Sequence, residues 1–116
     1  ETFDYLDKTP KCNYATQSGP MLVCNNFIHP RFLKESKSKF IRNGVGTSAD
    51  KKYAYFVKAE DTVNFYTFAR IFKEKLKAPN ALYFDGKISR LYSKELNRND
   101  FGWPMGPILA VVRSKD

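Results

Sequence analysis

The sequence predicts an α+β fold, in which a mixed, largely antiparallel sheet carries one long covering helix. The chain of 116 residues holds one long amphipathic segment and five or six short apolar runs separated by turn residues. Several of these runs are apolar on both faces, so both faces of the sheet need cover. Because one helix covers one face, we expect the chain to be part of a larger domain.

The helix is predicted in the stretch "EDTVNFYTFARIFKEKLKAP", residues 60–79. Lysines crowd its last turn, where they complement the helix dipole, and Pro79 ends it. Asp61 or Thr62 is the expected N-cap, because a short side-chain oxygen accepts hydrogen bonds from the free amides of the first turn. The apolar stripe with the helical period comprises Phe65, Phe68, Ile71 or Phe72, and Leu76.

Aromatic and β-branched runs between turn signals predict the strands. Residues 27–28 are expected to return beside Val23 and Cys24, across a two-residue turn at Asn25-Asn26. Residues 2–10 predict the tail of a helix that stops before the proline at the end of this stretch. The predicted strands are residues 13–16, 21–24, 27–28, 40–46, 52–59, 81–84 and 107–112.

Two cysteines, Cys12 and Cys24, leave two interpretations open. A tight turn centred on Ser18 would bring them face to face as a disulfide, whereas a turn at Asn25-Asn26 competes with that geometry. Neither cysteine lies in a Cys-x-x-Cys spacing, and His29 alone adds too few ligands, so a structural zinc site is not expected.

The charge balance is basic, with 20 Lys and Arg against 12 Asp and Glu and a net charge of +8. Such a balance attracts phosphorylated ligands, polyanions or acidic surfaces, or simply reflects solvated surface lysines. No nucleic-acid motif surrounds the lysine clusters, so nucleic acid is not an expected partner. No apolar stretch approaches the roughly 20 residues of a membrane-spanning helix.

In the stretch "ALYFDGKIS", residues 81–89, an apolar run is followed directly by an aspartate and then a glycine. Asp85-Gly86 is a favoured hairpin turn, and it equally suits a strand end that presents a catalytic acid. In the second case the missing side chain of the glycine leaves room for a ligand beside the carboxylate. The residues alone leave both interpretations open.

Four stretches differ from ordinary core or loop sequence: "TQSGPML" (16–22), "IRNGVG" (41–46), "ALYFDGKIS" (81–89) and "LNRNDFGWPMGPI" (96–108). In this order, across residues 13–112, they resemble the C-terminal half of the phosphodiester glycosidase domain. That family includes the uncovering enzyme that removes N-acetylglucosamine from mannose 6-phosphate. The likeness is closer to the bacterial branch of exported or periplasmic proteins.

The resemblance implies that residues 1–116 are the C-terminal portion of one such domain, with the missing N-terminal half as a partner. It implies a hydrolase that cleaves a sugar-1-phosphodiester in a phosphorylated carbohydrate or glycoconjugate, in the periplasm or outside the cell. No cofactor is predicted, and a divalent metal stays open. The family's Asp-Gly-Gly-Gly-Ser pattern reads Asp85-Gly86-Lys87-Ile88-Ser89 here, so the substrate of the mammalian enzyme need not transfer.

The expected chemistry combines a carboxylate with phosphate-binding groups, because the transition state is oxocarbenium-like and the phosphate leaves readily. Asp85 is the expected nucleophile or base, and Arg42 either binds the phosphate or pairs with Asp85. Ser89 completes the predicted catalytic set. Trp103 is either a sugar platform or the anchor of its loop, and His29 is expected at the surface. The predicted substrate-binding residues are Ser18, Gly19, Asn43, Gly86, Arg98 and Asp100.

A second hypothesis is a non-catalytic carbohydrate- or phosphate-binding module on the same scaffold. A third, a basic protein-interaction domain, rests on charge alone. No Ser-His-Asp order, Walker-type loop or metal-ligand cluster is present in the sequence, which argues against those enzyme classes.

Overall fold

The computed structural model describes residues 11–115, so the helix tail predicted at residues 2–10 lies outside the described residues. The fold is a five-stranded sheet with one helix against it, which confirms the α+β prediction. Every strand pairing in the sheet is antiparallel. The strands are β1 (Met21–Cys24), β2 (Phe27–Ile28), β3 (Asn43–Thr47), β4 (Ala54–Lys58) and β5 (Asn80–Asp85), in the spatial order β2-β1-β5-β3-β4.

The β1–β2 hairpin forms across the predicted two-residue turn. Asn25 and Asn26 have φ angles of 49° and 68°, the left-handed values that such a turn requires and that asparagine tolerates. Cys24 therefore pairs with Phe27 in the sheet. Both cysteines are free, and Cys12 is exposed, so the structure contains no disulfide between them.

The helix is shorter than predicted and begins later. Helix α1 spans Phe65–Arg70 and continues as a wider π-helical turn over Ile71–Lys75, ahead of Pro79. Its N-cap is Asn64, whose side-chain oxygen accepts a 2.8 Å hydrogen bond from the amide of Thr67. The prediction of Asp61 or Thr62 as the cap was wrong.

The reason for the shifted cap lies in the preceding backbone. Val63 forms a bridge with Phe40, exchanging two backbone hydrogen bonds, so the chain is still extended where the helix was expected to begin. Asn64 is 5% exposed, and its side-chain amide also donates to the carbonyls of Lys34 and Ser36. Tertiary contacts therefore decide the start of α1.

The core lies between α1 and one face of the sheet. Gly44 and Gly46 of β3 leave the space that the helix side chains fill. A Cβ at Gly46 would lie 2.7 Å from the ring of Phe72, and one at Gly44 would lie 3.4 Å from the ring of Phe68. The buried apolar core comprises Leu22, Val23, Phe68, Ala69, Phe72, Ala78 and Ala81.

The opposite face of the sheet carries a row of apolar side chains, here called the apolar row. Val45 pairs with Phe56 on β4 and with Leu82 on β5, and Leu82 pairs with Met21 on β1. Val45 alternates with the two glycines that face α1, so it points to the other side. Phe56 remains 52% exposed. The expectation that further parts of a larger domain cover this face stays a prediction.

Two predicted strands were wrong. Residues 13–16 and 107–112 are irregular in the structure, and Ile108 and Val112 are each 82% exposed. Their local propensity is suited to a strand, but a strand forms only where a neighbour accepts its backbone hydrogen bonds.

A short second sheet was not predicted: β6 (Tyr92–Ser93) pairs with β7 (Arg98–Asn99) across a turn in which Asn97 has a φ of 50°.

Candidate functional site

Polar side chains lie side by side at the edge of the sheet where β3 begins and β4 and β5 end. Asn43 at the start of β3 pairs with Lys58 at the end of β4 and with Asp85 at the end of β5. We call Lys58, Asn43 and Asp85 the polar row. Because alternate residues of a strand share a face, Asn43 and Lys58 continue the face of Val45 and Phe56.

The predicted segment Ser18-Gly19-Pro20 runs along the other side of β5. The amide of Tyr83 donates a 3.2 Å hydrogen bond to the carbonyl of Pro20, and the next pair in the antiparallel register is Met21 with Leu82. Because the two segments are antiparallel, the residues before Pro20 lie towards the end of β5 that carries Asp85. The hydroxyl oxygen of Ser18 is buried, without a hydrogen-bond partner among the described residues.

Asp85 is a strand end rather than a two-residue hairpin turn. Strand β5 ends at this residue, and the next strand along the chain belongs to the second sheet. Its Oδ1 accepts hydrogen bonds from the amides of Gly86 (2.6 Å) and Lys87 (3.1 Å), which fixes the orientation of the carboxylate. Its Oδ2 makes no hydrogen bond within residues 11–115, and the residue is exposed.

Asn43 and Ser89 tie the loop after Asp85 to the start of β3. The side-chain amide of Asn43 donates to the Ser89 hydroxyl at 2.7 Å, and that hydroxyl donates to the Ile41 carbonyl at 2.7 Å. The hydroxyl proton of Ser89 is thereby donated to the Ile41 carbonyl, and one lone pair of the hydroxyl oxygen is left to accept a further hydrogen bond. The oxygen of the Asn43 side-chain amide accepts no hydrogen bond from residues 11–115.

Gly86 is buried, and its missing side chain serves packing within the protein. A Cβ here would collide with the Tyr83 hydroxyl and would lie 3.1 Å from the Cβ of Phe40 and 3.4 Å from the Cγ of Arg42. The glycine therefore lets the loop pack closely on Tyr83, Phe40 and the aliphatic stem of Arg42. The sequence interpretation, in which the glycine makes room for a ligand, did not include this role.

Arg42 lies beneath that loop and is 1% exposed. Its guanidinium donates to the carbonyls of Val63 (2.9 Å) and Ser38 (3.0 Å) and lies 3.6 Å from the centroid of the Phe65 ring. Burial lowers the pKa of Arg42, and the neighbouring Tyr83 hydroxyl partly offsets this effect. Burial likewise raises the pKa of Tyr83, against the effect of Arg42.

Arg98 and Asp100 form a salt-bridge cluster beside the polar row. Arg98 contacts both carboxylate oxygens of Glu60, and its Nε donates to Asp100 at 2.7 Å. That guanidinium and the Leu91 amide lower the pKa of Asp100 to about 2. The Lys58 ammonium lies 3.5 Å from the same carboxylate. The cluster thereby joins the β6–β7 sheet to the end of β4.

The profile of the family described as Phosphodiester glycosidase matches residues 4–112, a range that includes every strand and the polar row. The chain belongs to the phosphodiester glycosidase family. It is also similar to the uncharacterized protein YigE of Escherichia coli (strain K12), with 41% identity over 91 residues. The aligned region covers 78% of this chain and 35% of YigE, so the chain spans about a third of that relative. No solved structure matches the chain significantly.

In this member of the family, most of the predicted site residues converge at one end of the sheet. Asp85, Gly86, Ser89 and Asn43 are in contact or adjacent, with Arg42 packed beneath them. The predicted residues Ser18 and Gly19 run beside β5, and Arg98 and Asp100 lie beyond Lys58, outside the row. The catalytic and binding roles of these residues stay predictions.

Two residues of this site were missed by sequence reasoning, Tyr83 and Lys58. Tyr83 precedes Asp85 by two residues, but a register shift in β5 between them pairs Tyr83 with Gly44, on the face where its ring packs against Phe65. Lys58 enters the row only through the pairing of β4 with β3, which no local pattern reveals.

Two further predicted residues lie away from the polar row. Trp103 is 79% exposed, so burial of its ring does not anchor the loop, although its carbonyl accepts a hydrogen bond from Arg90. His29 is partly buried, stacks on Phe32, and accepts a hydrogen bond from the Arg31 amide.

Between residues 11 and 115, no group of three or more His, Cys, Asp or Glu side chains is arranged to hold a metal ion. Over the same range, none of the helices has the length and apolar character needed to cross a membrane.

Proposed function

We propose that the domain containing this chain hydrolyses a glycosidic phosphodiester, with Asp85 as its carboxylate. The observation that carries the proposal is the state of this carboxylate at the end of β5. Two backbone amides hold one oxygen, while the other makes no hydrogen bond in the described part of the chain. Membership of the phosphodiester glycosidase family supports the reaction class.

The chemistry needs little more than a placed carboxylate, because the leaving group is already a stable anion. Oδ2 of Asp85 either attacks the anomeric carbon or takes a proton from a water that attacks it. The bond between the anomeric carbon and the phosphate oxygen breaks, and its electron pair leaves with the phosphate. The carboxylate also stabilises the positive charge that develops on the sugar ring.

In this proposal Asn43 and Ser89 contact the substrate, and Arg42 acts as a positioning residue. The buried Arg42 packs its aliphatic stem beneath Gly86 and its guanidinium beside the Tyr83 hydroxyl, and so supports the loop that orients Asp85. The substrate class is a phosphorylated carbohydrate or glycoconjugate. Because the chain spans 35% of YigE, further parts of a full-length protein are expected to complete the sugar site.

The test is hydrolysis of a sugar-1-phosphodiester by the full-length protein and by its Asp85→Asn variant, with release of the phosphate monoester as the readout. We expect the substitution to lower kcat about 10²–10⁴-fold, the usual contribution of a positioned acid or base. Asp61→Asn, an exposed carboxylate just before α1, is the matched control and should retain full activity.

Full activity of the Asp85→Asn variant would contradict the assignment of this carboxylate. The alternative function, a carbohydrate- or phosphate-binding module, would be favoured by a different result: ligand binding of equal affinity in both proteins, with no turnover by either.

A further inference from the structure

We infer that Lys58 is the cation that binds the phosphate group of the ligand at the polar row. The identity of the phosphate as part of a glycosidic diester rests on the proposed function, but binding of an anion by Lys58 can be tested without it. The argument depends on which cations near Asp85, other than the exposed Lys87 of the loop, still have free hydrogen-bond donors.

The three nearby arginines have their donors engaged within the protein. Arg42 is 1% exposed and donates to two backbone carbonyls. Arg98 is held by the carboxylates of Glu60 and Asp100. Arg90 donates to the backbone carbonyls of Asp100 and Trp103. Binding a phosphate through any of these guanidinium groups would require existing contacts to be exchanged.

Lys58 differs from these arginines because its ammonium makes no hydrogen bond within the described residues. Its side chain is 12% exposed, and its nearest acidic atoms are oxygens of Asp100 at 3.5 Å and Glu60 at 3.8 Å. Both carboxylates already accept shorter contacts from Arg98. The Lys58 ammonium is not among the buried side-chain atoms that lack a partner in the described residues, so solvent reaches it even though the stem of the side chain is largely covered. Its three N–H donors can therefore be offered to the oxygens of a phosphate.

The position of Lys58 also suits a substrate that reacts at Asp85. The two residues lie on the strands that flank β3, each paired with Asn43. Two strand spacings separate their backbones by about 9.5 Å. A sugar placed at Asp85 would extend its anomeric phosphate across Asn43, within reach of a lysine side chain.

The experiment measures the dissociation constant of the full-length protein for inorganic phosphate by titration calorimetry. We expect Lys58→Met, which keeps the buried stem and removes the charge, to raise this constant about tenfold, the effect of one hydrogen bond to a charged group. Lys58→Arg should restore binding to within about threefold of the wild type. Lys52→Met, an exposed lysine just before β4, should leave the constant unchanged.

A structural role of Lys58 predicts other results. If the lysine only ties β6–β7 to β4, Lys58→Met would lower the unfolding temperature and leave phosphate affinity intact, which would overturn the inference. Equal losses in Lys58→Met and Lys52→Met, or a loss confined to Lys87→Met, would overturn it as well. Should Lys58→Met fail to fold, Lys58→Gln keeps hydrogen-bond donors without the charge and should show the same loss of affinity.

Failure of the inference and failure of the proposed function give different results. Lys58-dependent phosphate binding without any diester hydrolysis would support the role of Lys58 and contradict the proposed hydrolase function. Hydrolysis with an unchanged KM in Lys58→Met would support the hydrolase function and contradict the role of Lys58. If both hold, Lys58→Met raises KM more than it lowers kcat, whereas Asp85→Asn mainly lowers kcat.

Discussion

At the scale of single residues, the loop after Asp85 is set by what lies beneath it. Gly86 rests on Tyr83 and Arg42, and the side chain of Asn43 fixes Ser89. These contacts hold the carboxylate at a defined end of β5 without themselves requiring a ligand. Preorganisation of this kind is what a catalytic carboxylate needs.

Gly86→Ala tests that packing. The added Cβ collides with the Tyr83 hydroxyl and presses on Phe40, so we expect the free energy of unfolding to fall by about 1–3 kcal/mol. Urea denaturation of wild type and variant measures the change. Gly106→Ala is the control, because a Cβ there meets no atom within 4 Å, and it should be neutral. Equal stability of the two variants would mean that the loop yields easily around position 86.

At the scale of elements, local signals predicted the parts of the fold that local contacts determine. The turn at Asn25-Asn26 and the strand that ends at Asp85 could be predicted, because turn chemistry and an apolar run suffice for them. The start of α1 could not, since it depends on carbonyls of Lys34 and Ser36, about thirty residues away. Lys58 was missed for the same reason: its neighbours come from strand register.

The cap of α1 provides the corresponding test. Asn64→Ala removes the hydrogen bond to the Thr67 amide and leaves two carbonyls of the preceding loop without their donor. We expect a loss of about 2 kcal/mol in unfolding free energy, from the cap and the broken loop contacts together. Thermal and urea unfolding measure it.

Asp61→Ala and Thr62→Ala are the matched controls, because both residues are exposed and were the caps expected from sequence alone. Each should change the unfolding free energy by less than about 0.5 kcal/mol. A larger loss at either position than at Asn64 would contradict the observed helix start.

At the scale of the whole molecule, the sheet has one face packed on α1 and one face with the apolar row. Phe56 is 52% exposed on the edge strand β4 of that second face, and the apolar residues at positions 107–112 are also largely exposed. Exposed apolar surface of this kind marks a place where another surface packs. The chain spans about a third of its relative YigE, and cover of this face by further sequence stays a prediction.

Phe56→Lys tests the role of that face in the isolated chain. Because the aromatic ring is already half-exposed and pairs with Val45 on an open surface, we expect self-association to fall while the unfolding free energy changes by less than about 1 kcal/mol. Light scattering as a function of concentration reports the association. Tyr53→Lys, an exposed aromatic residue outside the apolar row, should leave it unchanged. The same association in wild type and Phe56→Lys would exclude this face as the contact.

The two glycines of β3 have a consequence for the end of the strand that carries Asn43. Because Gly44 and Gly46 have no side chains, the rings of Phe68 and Phe72 pack directly against the backbone of β3. Strand β3 also carries Asn43, which stands between Asp85 and Lys58. A shift of the helix would therefore displace the backbone of β3 directly, and with it Asn43, which lies between the carboxylate and the lysine. Variation in the helix core would then tune the alignment of a bound molecule without touching it.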